Sequence, residues 1–287
     1  MLQEFKDLSM QLSQIELAPF GSEHLESAVR LSREAGWPHR LEDWQMALAL
    51  SEGVVAIEAG RVLGTTLVTA YGNDCATINM VIVDEAMRGR GLGRGLMDAA
   101  LRIAGDRPLR LVATADGLPL YEKLGFRETG TVLQHQGIAR ELAAPAGIDP
   151  VTTEDTAAIT ALDGVAFGAD RRDLIAYIAK VGEFAVIRRN DRIDGFAALR
   201  AFGRGNVIGP VVAANADDAK ALITHFIARR AGQFVRVDTT AETGLSPWLS
   251  DQGLIHVGGG IAMDRPALGR AADRAAFTFA LANQALG

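Results

Sequence analysis

The sequence predicts an α/β (α+β) protein of two similar domains, each with a mixed, mostly antiparallel central sheet flanked by helices. Short β-branched stretches separated by turn residues follow one another in the first half, which is typical of an antiparallel meander. A glycine-rich loop then leads into a helix with one apolar face. The same order of segments returns weakly in the second half, which indicates a duplication.

The first half alternates helices and strands in a regular way. The turn sequences Ala59-Gly60 and Tyr71-Gly72-Asn73-Asp74 separate its apolar strands. Apolar residues at Leu92, Leu96 and Ala100 form the stripe of a helix that packs on a sheet. The predicted elements are a strand from Ile15, helices at 23–35 and 41–50, strands at 54–58, 62–70 and 76–83, a helix at 92–104, a strand at 109–113 and a helix at 118–124.

Internal matches set the domain boundaries. Val55-Ala56-Ile57 returns as Ala185-Val186-Ile187, and Gly64 returns as Gly195, 131 residues later. We therefore predict a first domain at residues 1–142 and a second at 146–287, with the alanine-proline segment around Pro145 as linker. The alanine-rich run at 266–286 begins with proline and is followed by glycine, which predicts a terminal helix.

Composition excludes several classes of protein. The 287 residues carry a net charge of −6, which disfavours nucleic-acid binding because that function needs a basic surface. The sequence contains no apolar run of about 18 residues that would predict a membrane span, and its start lacks the pattern of a secretory signal. We therefore expect a cytoplasmic protein. Cys75 is the single cysteine and has no ligand-spaced partners, so neither a disulfide nor a metal site is predicted. A homo-oligomer is left open.

The segment from Asn79 to Met97 carries the clearest chemical signal. An apolar strand leads into a loop with glycines at 89, 91 and 93, and a helix follows. Glycines let backbone N–H groups point into a common cavity, and the helix directs the positive end of its dipole there. Arg88, Arg90 and Arg94 add formal positive charge. This layout predicts a binding site for a pyrophosphate.

Two common phosphate motifs do not fit this loop. A nucleotide P-loop ends in Gly-Lys followed by Ser or Thr, and a dinucleotide fingerprint needs a third glycine where Arg94 or Leu96 stands. Arg88-x-x-Gly91-x-Gly93 instead resembles the Arg/Gln-x-x-Gly-x-Gly/Ala signature of the GNAT superfamily of N-acetyltransferases. Tyr121-x-x-x-Gly125-Phe126, 33 residues further on, resembles the ending of the same fold. The duplicated arrangement is similar to that of bacterial tandem-GNAT proteins.

The resemblance implies acetyl-CoA as co-substrate and a cleft where the fourth strand of the first domain splays from the fifth. It implies that the fourth strand pairs with the pantetheine arm and that the loop binds the pyrophosphate. It also implies that Tyr121 is the general acid in a direct attack of an amine on the thioester. The implied cofactor-binding residues are Val81, Ile82, Val83, Arg88, Gly89, Arg90, Gly91, Leu92, Gly93 and Arg94.

The general base is the open part of this interpretation. Some relatives place a glutamate on the strand before the loop, where this sequence has Thr77 and Asn79. Asn79 is a candidate for hydrogen bonding to the substrate or to a relay water. His39, His135 and Glu85 are alternative proton acceptors, and the sequence favours none of them.

The acceptor is expected to be a primary amine of a small molecule, with Trp37 and Trp248 as candidate contacts. Acetylation of protein lysines or N-termini, and a non-catalytic acyl-CoA sensor, are the alternatives. The second half has Ala214 to Lys220 in place of the glycine loop and Leu249 in place of Tyr121. We therefore predict a degenerate second copy and one active site per chain.

Overall fold

The computed structural model describes residues 15–266 and 274–287. The chain divides into two compact units. The first consists of the chain up to Val68 and of Met80–Gly105, and the second consists of Thr69–Asn79 and Asp106–Gly287. These units do not coincide with the halves of the repeat, because one hairpin tip and the end of the first half belong to the second unit. The boundaries at 142 and 146 stay a prediction about the duplicated halves.

The first unit confirms the predicted helices and strands within a few residues. Strands β1 and β2 pair antiparallel, with Glu16 opposite Ile57. Between β2 and β3, Ala59 and Gly60 have φ angles of 47° and 79°, as a two-residue hairpin turn requires. The elements are β1 (Glu16–Pro19), α1 (Leu25–Glu34), α2 (Leu41–Ala49), β2 (Glu52–Glu58), most of β3 (Arg61–Tyr71), the end of β4 (Cys75–Val83) and α3 (Leu92–Ala104).

Helix α3 packs its apolar stripe on the sheet of the first unit. Leu92 and Leu96 are buried in one cluster with Ala56 and Leu63. A Cβ atom at Gly64 would lie 2.9 Å from Leu96 Cδ1. Because such a distance is too short for a real contact, Gly64 lets the helix approach the sheet closely.

The second unit contains the start of β4 and the rest of the chain. Its strand order is β4, β5, β12, β6, β11, β10, β9, β8, β7, with β13 paired to β10. The pairs β4–β5 and β10–β11 are parallel, and the other neighbours in this unit are antiparallel. Within the described ranges, no helix has both the length and the apolar character that crossing a bilayer requires. The elements are β5 (Leu109–Ala113), α4 (Leu118–Lys123), β6 (Arg127–Ile138), β7 (Asp149–Pro150), α5 (Thr156–Phe167), α6 (Arg172–Val181), β8 (Gly182–Arg189), β9 (Arg192–Phe202), β10 (Gly205–Ala213), α7 (Ala216–Arg229), β11 (Phe234–Thr240), α8 (Ser246–Asp251), β12 (Ile255–Arg265) and β13 (Phe277–Ala280).

Strands β6 and β12 are exchanged between the halves of the repeat. Strand β12 lies between β5 and β6 of the first half, with Met263 opposite Leu111 and Ile261 opposite Thr131. Strand β6 in turn lies between β12 and β11 of the second half. Each half therefore completes its sheet with a strand from the other half.

The predicted terminal helix is wrong for the described part of its range, and residues 267–273 of it lie outside the described residues. Phe277–Ala280 forms β13, which pairs with β10 and places Ala280 opposite Val211. Alanine content is a weak helix signal, and tertiary contacts override it here. Phe279 and Ala280 are buried against the core, so the strand gains both backbone pairing and apolar burial. Residues 277–287 are called the tail below.

Candidate active site

The loop between β4 and α3 is anchored at its start by Asp84. Asp84 Oδ1 accepts a hydrogen bond from the Ala86 N–H at 3.1 Å. Arg61 Nη2 donates to Asp84 Oδ2 at 2.7 Å, which pairs the buried carboxylate with a cation. These contacts hold the short 3-10 turn Glu85–Met87. The start of the loop, just before residues 88–94, is therefore held in place.

Gly89 and Gly91 give the loop its shape. Their φ angles are 75° and 83°, in the left-handed region that side chains disfavour. A Cβ atom at Gly89, Gly91 or Gly95 would meet no heavy atom within 4 Å, so the space beside the loop is open. Gly91 is the N-cap residue of α3 and offers no side-chain cap. The first amides of α3 therefore lack an intrahelical or side-chain acceptor, which is the arrangement that binds anions.

Three arginines lie in the loop and in the first turn of α3. Arg88, Arg90 and Arg94 are all exposed. Arg94 Nε donates to Asp98 Oδ1 at 2.9 Å on the helix surface, a pair that solvent screens strongly. Leu92, by contrast, is buried and holds the helix start on the sheet, whereas Gly93 is half-buried.

The strand before the loop is irregular at Met80. Met80 has a φ of 50°, which is uncommon for a residue other than glycine, and Thr65 Oγ1 donates to its carbonyl at 2.7 Å. Val81 and Val83 beyond it are half-buried, whereas Ile82 is buried. Nothing in the sequence singles out Met80, because a left-handed methionine has no compositional signature.

Tyr121 is buried in α4, with 8% of its surface exposed. Its ring lies against Gly117, where a Cβ atom would be 2.8 Å from Tyr121 Cε2, and meets Phe126 edge-on at 6.2 Å between centroids. Burial raises the pKa of the Tyr121 hydroxyl to about 12. The hydroxyl therefore stays protonated at neutral pH and is a hydrogen-bond donor there.

Asn79 is held by one end of its carboxamide. Its Nδ2 donates to Thr69 Oγ1 at 2.9 Å and lies 3.4 Å from Thr77 Oγ1. Its Oδ1 is buried and has no hydrogen-bond partner among the described residues. An unused buried acceptor costs about 1–3 kcal/mol.

The three alternative proton acceptors differ in their surroundings. His39 Nδ1 lies 3.3 Å from Ser32 Oγ. Both ring nitrogens of the fully buried His135 are hydrogen-bonded, and burial lowers the pKa of this histidine. Glu85 is exposed at the start of its turn. None of these contacts favours one of the three as the base.

The two candidate substrate tryptophans lie in different units. Trp37 is half-buried, with its ring edge-on to His39 at 5.7 Å, whereas its neighbour Trp44 is fully buried. Trp248 is partly buried and packs against the core of the second unit. A contact of Trp37 or Trp248 with substrate stays a prediction.

The gap between β10 and β11 in the second half is filled by the tail. The two strands pair only at Asn206↔Val235 and Val207↔Arg236 within the described residues. Beyond these pairs, the Leu281 N–H donates to the Asp238 carbonyl at 2.8 Å. A Cβ atom at Gly209 would lie 1.9 Å from the Leu281 carbonyl oxygen, so only glycine fits there.

Helix α7 of the second half has a capped start. Asn215 Oδ1 accepts from the Asp218 N–H at 2.9 Å. Arg189 Nη2 donates to Asp218 Oδ1 at 2.6 Å, and this guanidinium lowers the pKa of the carboxyl. The amides that an anion would need are thus partly occupied by the chain's own side chains, and a carboxylate stands among them.

A cavity of about 980 Å³ lies over α5 in the second unit. Its lining includes Ala157, Ala161 and Val165 of that helix, and none of the predicted site residues. The Asp170 carboxylate at its rim is paired with Arg172. The cavity therefore has small, mostly apolar walls and no group arranged for acyl transfer.

Cys75 is buried beside Tyr71 and Ala169, and burial raises the pKa of its thiol. Cys75 thus serves as a small buried residue of the core. In the part of the chain that the structure describes, no group of three or more His, Cys, Asp or Glu side chains is arranged to hold a metal ion.

Family models match both halves of the chain. Residues 50–128 match a GNAT acetyltransferase domain, and residues 159–274 match a second GNAT acetyltransferase domain model. The first match contains the glycine loop and Tyr121. The second contains the capped helix α7 and the strands around it.

Whole-chain comparisons agree with this arrangement. The uncharacterized N-acetyltransferase YitH of Bacillus subtilis is 29% identical over 256 residues, covering 83% of this chain and 87% of that protein. A putative acetyltransferase from Pyrococcus horikoshii superposes with a TM-score of 0.80 at 19% identity, over 96% of this chain and 97% of that one. A tandem GNAT protein from the clavulanic acid biosynthesis pathway superposes with a TM-score of 0.61 at 15% identity, over 91% of this chain and 100% of that one.

Proposed function

Because the chain belongs to the GNAT acetyltransferase superfamily, with two GNAT domains in tandem, we propose that it is an acetyl-CoA-dependent N-acetyltransferase with one working site per chain. The acceptor is the primary amine of a small molecule. The amine nitrogen bonds to the acyl carbon as the carbon–sulfur bond breaks, and one amine proton ends on sulfur. No covalent enzyme intermediate is required.

The open glycine loop is the observation that carries this proposal. The backbone at Gly89 and Gly91 leaves space for phosphate oxygens, and the uncapped start of α3 presents amide donors to it. Each charge-assisted hydrogen bond to a phosphate contributes about 1.5–3 kcal/mol. Arg88, Arg90 and Arg94 supply the long-range attraction for the negative pyrophosphate of acetyl-CoA.

The irregular end of β4 suits the pantetheine arm of the same co-substrate. Met80 departs from strand geometry, so the residues after it need not continue regular pairing. We assign the backbone of Val81, Ile82 and Val83 to the arm, with Val81 and Val83 partly accessible.

Tyr121 is proposed to donate a hydrogen bond to the departing sulfur. Its pKa of about 12 lies well above the value of about 8.5 for a thiol. Full proton transfer from the phenol alone would therefore be uphill by roughly 4–5 kcal/mol. We infer that Tyr121 passes its proton to sulfur as it receives one from the attacking amine, so that the phenol is unchanged after the step.

The pH dependence follows from these two groups. An alkyl amine with a pKa of about 10.4 must be neutral to attack, so the rate rises with pH through the neutral range. Because the pKa of Tyr121 is raised, its protonated form is kept until the pH approaches 12. We therefore expect no alkaline fall in kcat below about pH 10 from this residue.

One site per chain is proposed because the second half lacks both binding features. Its strand gap holds the tail, and the start of α7 is capped by Asn215 and carries Asp218. Leu249 stands where the first half has Tyr121. The retained copy serves the fold of the chain.

Calorimetric titration with acetyl-CoA tests the binding part. We expect acetyl-CoA to bind at one site per chain. We also expect the protein to acetylate at least one amine from a panel of benzylamine, putrescine and glucosamine. Two equal sites would contradict the assignment of the second half, and no binding would overturn the proposal.

Substitution of Tyr121 by phenylalanine tests the chemistry. We expect kcat to fall roughly 100-fold, the lower end of general acid–base effects, with an unchanged Kd for acetyl-CoA. Tyr177→Phe is the matched control, since Tyr177 is a half-buried tyrosine on α6 with no proposed role. Unchanged turnover in Tyr121→Phe would remove this residue from the mechanism.

A further inference from the structure

Strand pairing shows which positions of the two halves correspond. Ala76 on β4 and Asn206 on β10 each begin a parallel ladder with the next strand of the sheet. The two strands therefore correspond with an offset of 130 residues. By this offset, Gly209 stands at the position of Asn79.

Strands β3 and β9 correspond with an offset of 131 residues. A Cβ atom at Gly64 would lie 2.9 Å from a leucine Cδ1 atom of α3, and one at Gly195 would lie 3.4 Å from a leucine Cδ1 atom of α7. Each glycine thus marks the place where its strand passes closely under a helix. By this offset, Arg200 stands at the position of Thr69.

The tail follows the path in the second half that the proposed function gives to pantetheine in the first half. Residues 277–280 pair antiparallel with residues 211–213 of β10, which correspond to residues 81–83 of β4. The loop that is proposed to bind the pyrophosphate comes after residue 83. The sulfur end of the arm therefore points back towards residue 79, and an acyl group on that sulfur extends further in the same direction.

In the second half this path continues past Gly209. The carbonyl oxygen of Leu281 lies 1.9 Å from the place that a Cβ atom at Gly209 would take. Arg200 Nη2 donates a hydrogen bond to the carbonyl oxygen of Ala282 at 3.1 Å. The tail can continue here because position 209 has no side chain and the arginine on β9 binds the tail backbone.

In the first half the corresponding side chains bind each other instead. Asn79 Nδ2 donates to Thr69 Oγ1 at 2.9 Å, and the two residues are only 6% and 2% exposed. Because equivalent strand positions direct their side chains alike, the Asn79 side chain occupies the space that Leu281 takes in the second half. These two residues, Leu281 and the contacts of the tail all belong to the second unit.

We propose that Asn79 is a specificity-determining residue that ends the acyl pocket and restricts the co-substrate to short acyl groups such as acetyl. This inference rests on the proposed N-acetyltransferase function and adds the acyl chain length that the site accepts. The role depends on the volume of the side chain, so it needs no access to the buried amide oxygen. An acetyl group ends at its methyl carbon, whereas a hexanoyl chain would have to displace a packed side chain.

Calorimetric titration with acetyl-CoA and hexanoyl-CoA tests this role without requiring turnover. The readout is the ratio of the two Kd values, in which a loss of affinity common to both ligands cancels. In the parent we expect hexanoyl-CoA to bind at least roughly tenfold more weakly than acetyl-CoA, as overpacking requires. Asn79→Gly copies position 209 of the second half, and we expect it to lower this ratio at least roughly fivefold because the longer chain gains space.

Two further variants separate the volume of the side chain from its polarity and from folding. Asn79→Leu keeps the branched shape and the size of the side chain without its amide, so the ratio of the parent should be retained. Asn79→Ala opens the same space with a less flexible backbone and should lower the ratio if Asn79→Gly folds poorly.

Three results would overturn the inference and leave the proposed function standing. They are equal binding of the two ligands by the parent, an unchanged ratio in the glycine and alanine variants, and a lowered ratio in Asn79→Leu. Failure of the parent to bind acetyl-CoA would overturn the proposed function, and the inference with it.

Discussion

The first and second halves contain the same parallel strand pair, but the residues at equivalent positions of the two pairs have different contacts. Strands β4 and β5 pair at Ala76↔Leu109 and Thr77↔Arg110, and β10 and β11 pair at Asn206↔Val235 and Val207↔Arg236. Ala76 and Asn206 are 130 residues apart, and so are Asn79 and Gly209. Asn79 offers an unused acceptor, whereas Gly209 touches the backbone of the tail.

Under the proposal of one site per chain, this difference explains how the second half keeps the fold without a ligand site. In the second half, a peptide strand pairs with β10 in the place that the proposal gives to pantetheine in the first half. The glycine at 209 accommodates that strand, and the capped start of α7 removes the need for an anion. The geometry of β10 and β11 is kept because the tail pairs with these strands.

The largest expected effect concerns the glycine loop. Gly91→Glu places a carboxylate at the uncapped start of α3, and we expect acetyl-CoA affinity to fall at least roughly 100-fold through lost amide donors and charge repulsion. Gly232→Glu is the matched control, because Gly232 also has a positive φ, 77°, and open space around its Cβ position. Calorimetry on both variants separates backbone strain from the loss of the anion site. Equal acetyl-CoA affinities of Gly91→Glu and Gly232→Glu would contradict the assignment of the anion site to the glycine loop of the first half.

An intermediate effect is expected where the tail fills the second half. Gly209→Ala introduces a Cβ atom 1.9 Å from the Leu281 carbonyl oxygen, and such overpacking costs about 1–3 kcal/mol. Gly164→Ala in α5 is the control, since its Cβ would be at an ordinary 3.7 Å from the Ala169 oxygen and should stabilise the helix by about 0.5–1 kcal/mol. Urea unfolding measures both. A Gly209→Ala protein as stable as the parent would show that the tail does not occupy the gap in solution.

The smallest effect concerns the capped start of α7. Arg189→Met leaves the Asp218 carboxylate with Asn215 alone and should lower the free energy of unfolding at neutral pH by less than Gly209→Ala does. Arg189 lowers the pKa of Asp218, so the stabilisation is present above the unfolded value of about 3.9 and is lost as the pH falls below it. Urea unfolding at neutral pH and near pH 3 checks this sign. Arg192→Met, at a more exposed arginine, should change stability less, and an equal loss would contradict the special role of Asp218.

Local sequence patterns were sufficient for the elements of the first half up to α4, whereas strand β6 was not predicted. Turn residues and apolar periodicity act within a few residues of one another, so the meander and helix α3 are encoded where they form. The exchange of β6 and β12 has no such local signal, since the partners of each strand lie in the other half of the chain. The tail was missed for a related reason: its alanines favour a helix, but the edge of β10 that it pairs with lies more than sixty residues away.

The candidate site shows the same limit. The loop from Arg88 to Arg94 and Tyr121 stand out as short motifs. Asn79 stood out by its place on β4, but its hydrogen bond to Thr69, ten residues earlier on β3, has no signal in the sequence.

The exchanged strand β12 also has a consequence for biosynthesis and for gene history. Strand β5 leaves the ribosome roughly 140 residues before its neighbour β12, so at about 5–20 residues per second its edge waits for some seven to thirty seconds. A nascent chain in that interval has an unpaired sheet edge and depends on a second copy not yet made. For the same reason a deletion of the second copy would remove a strand from the first, which gives selection a reason to keep the second half whether or not it has chemistry of its own.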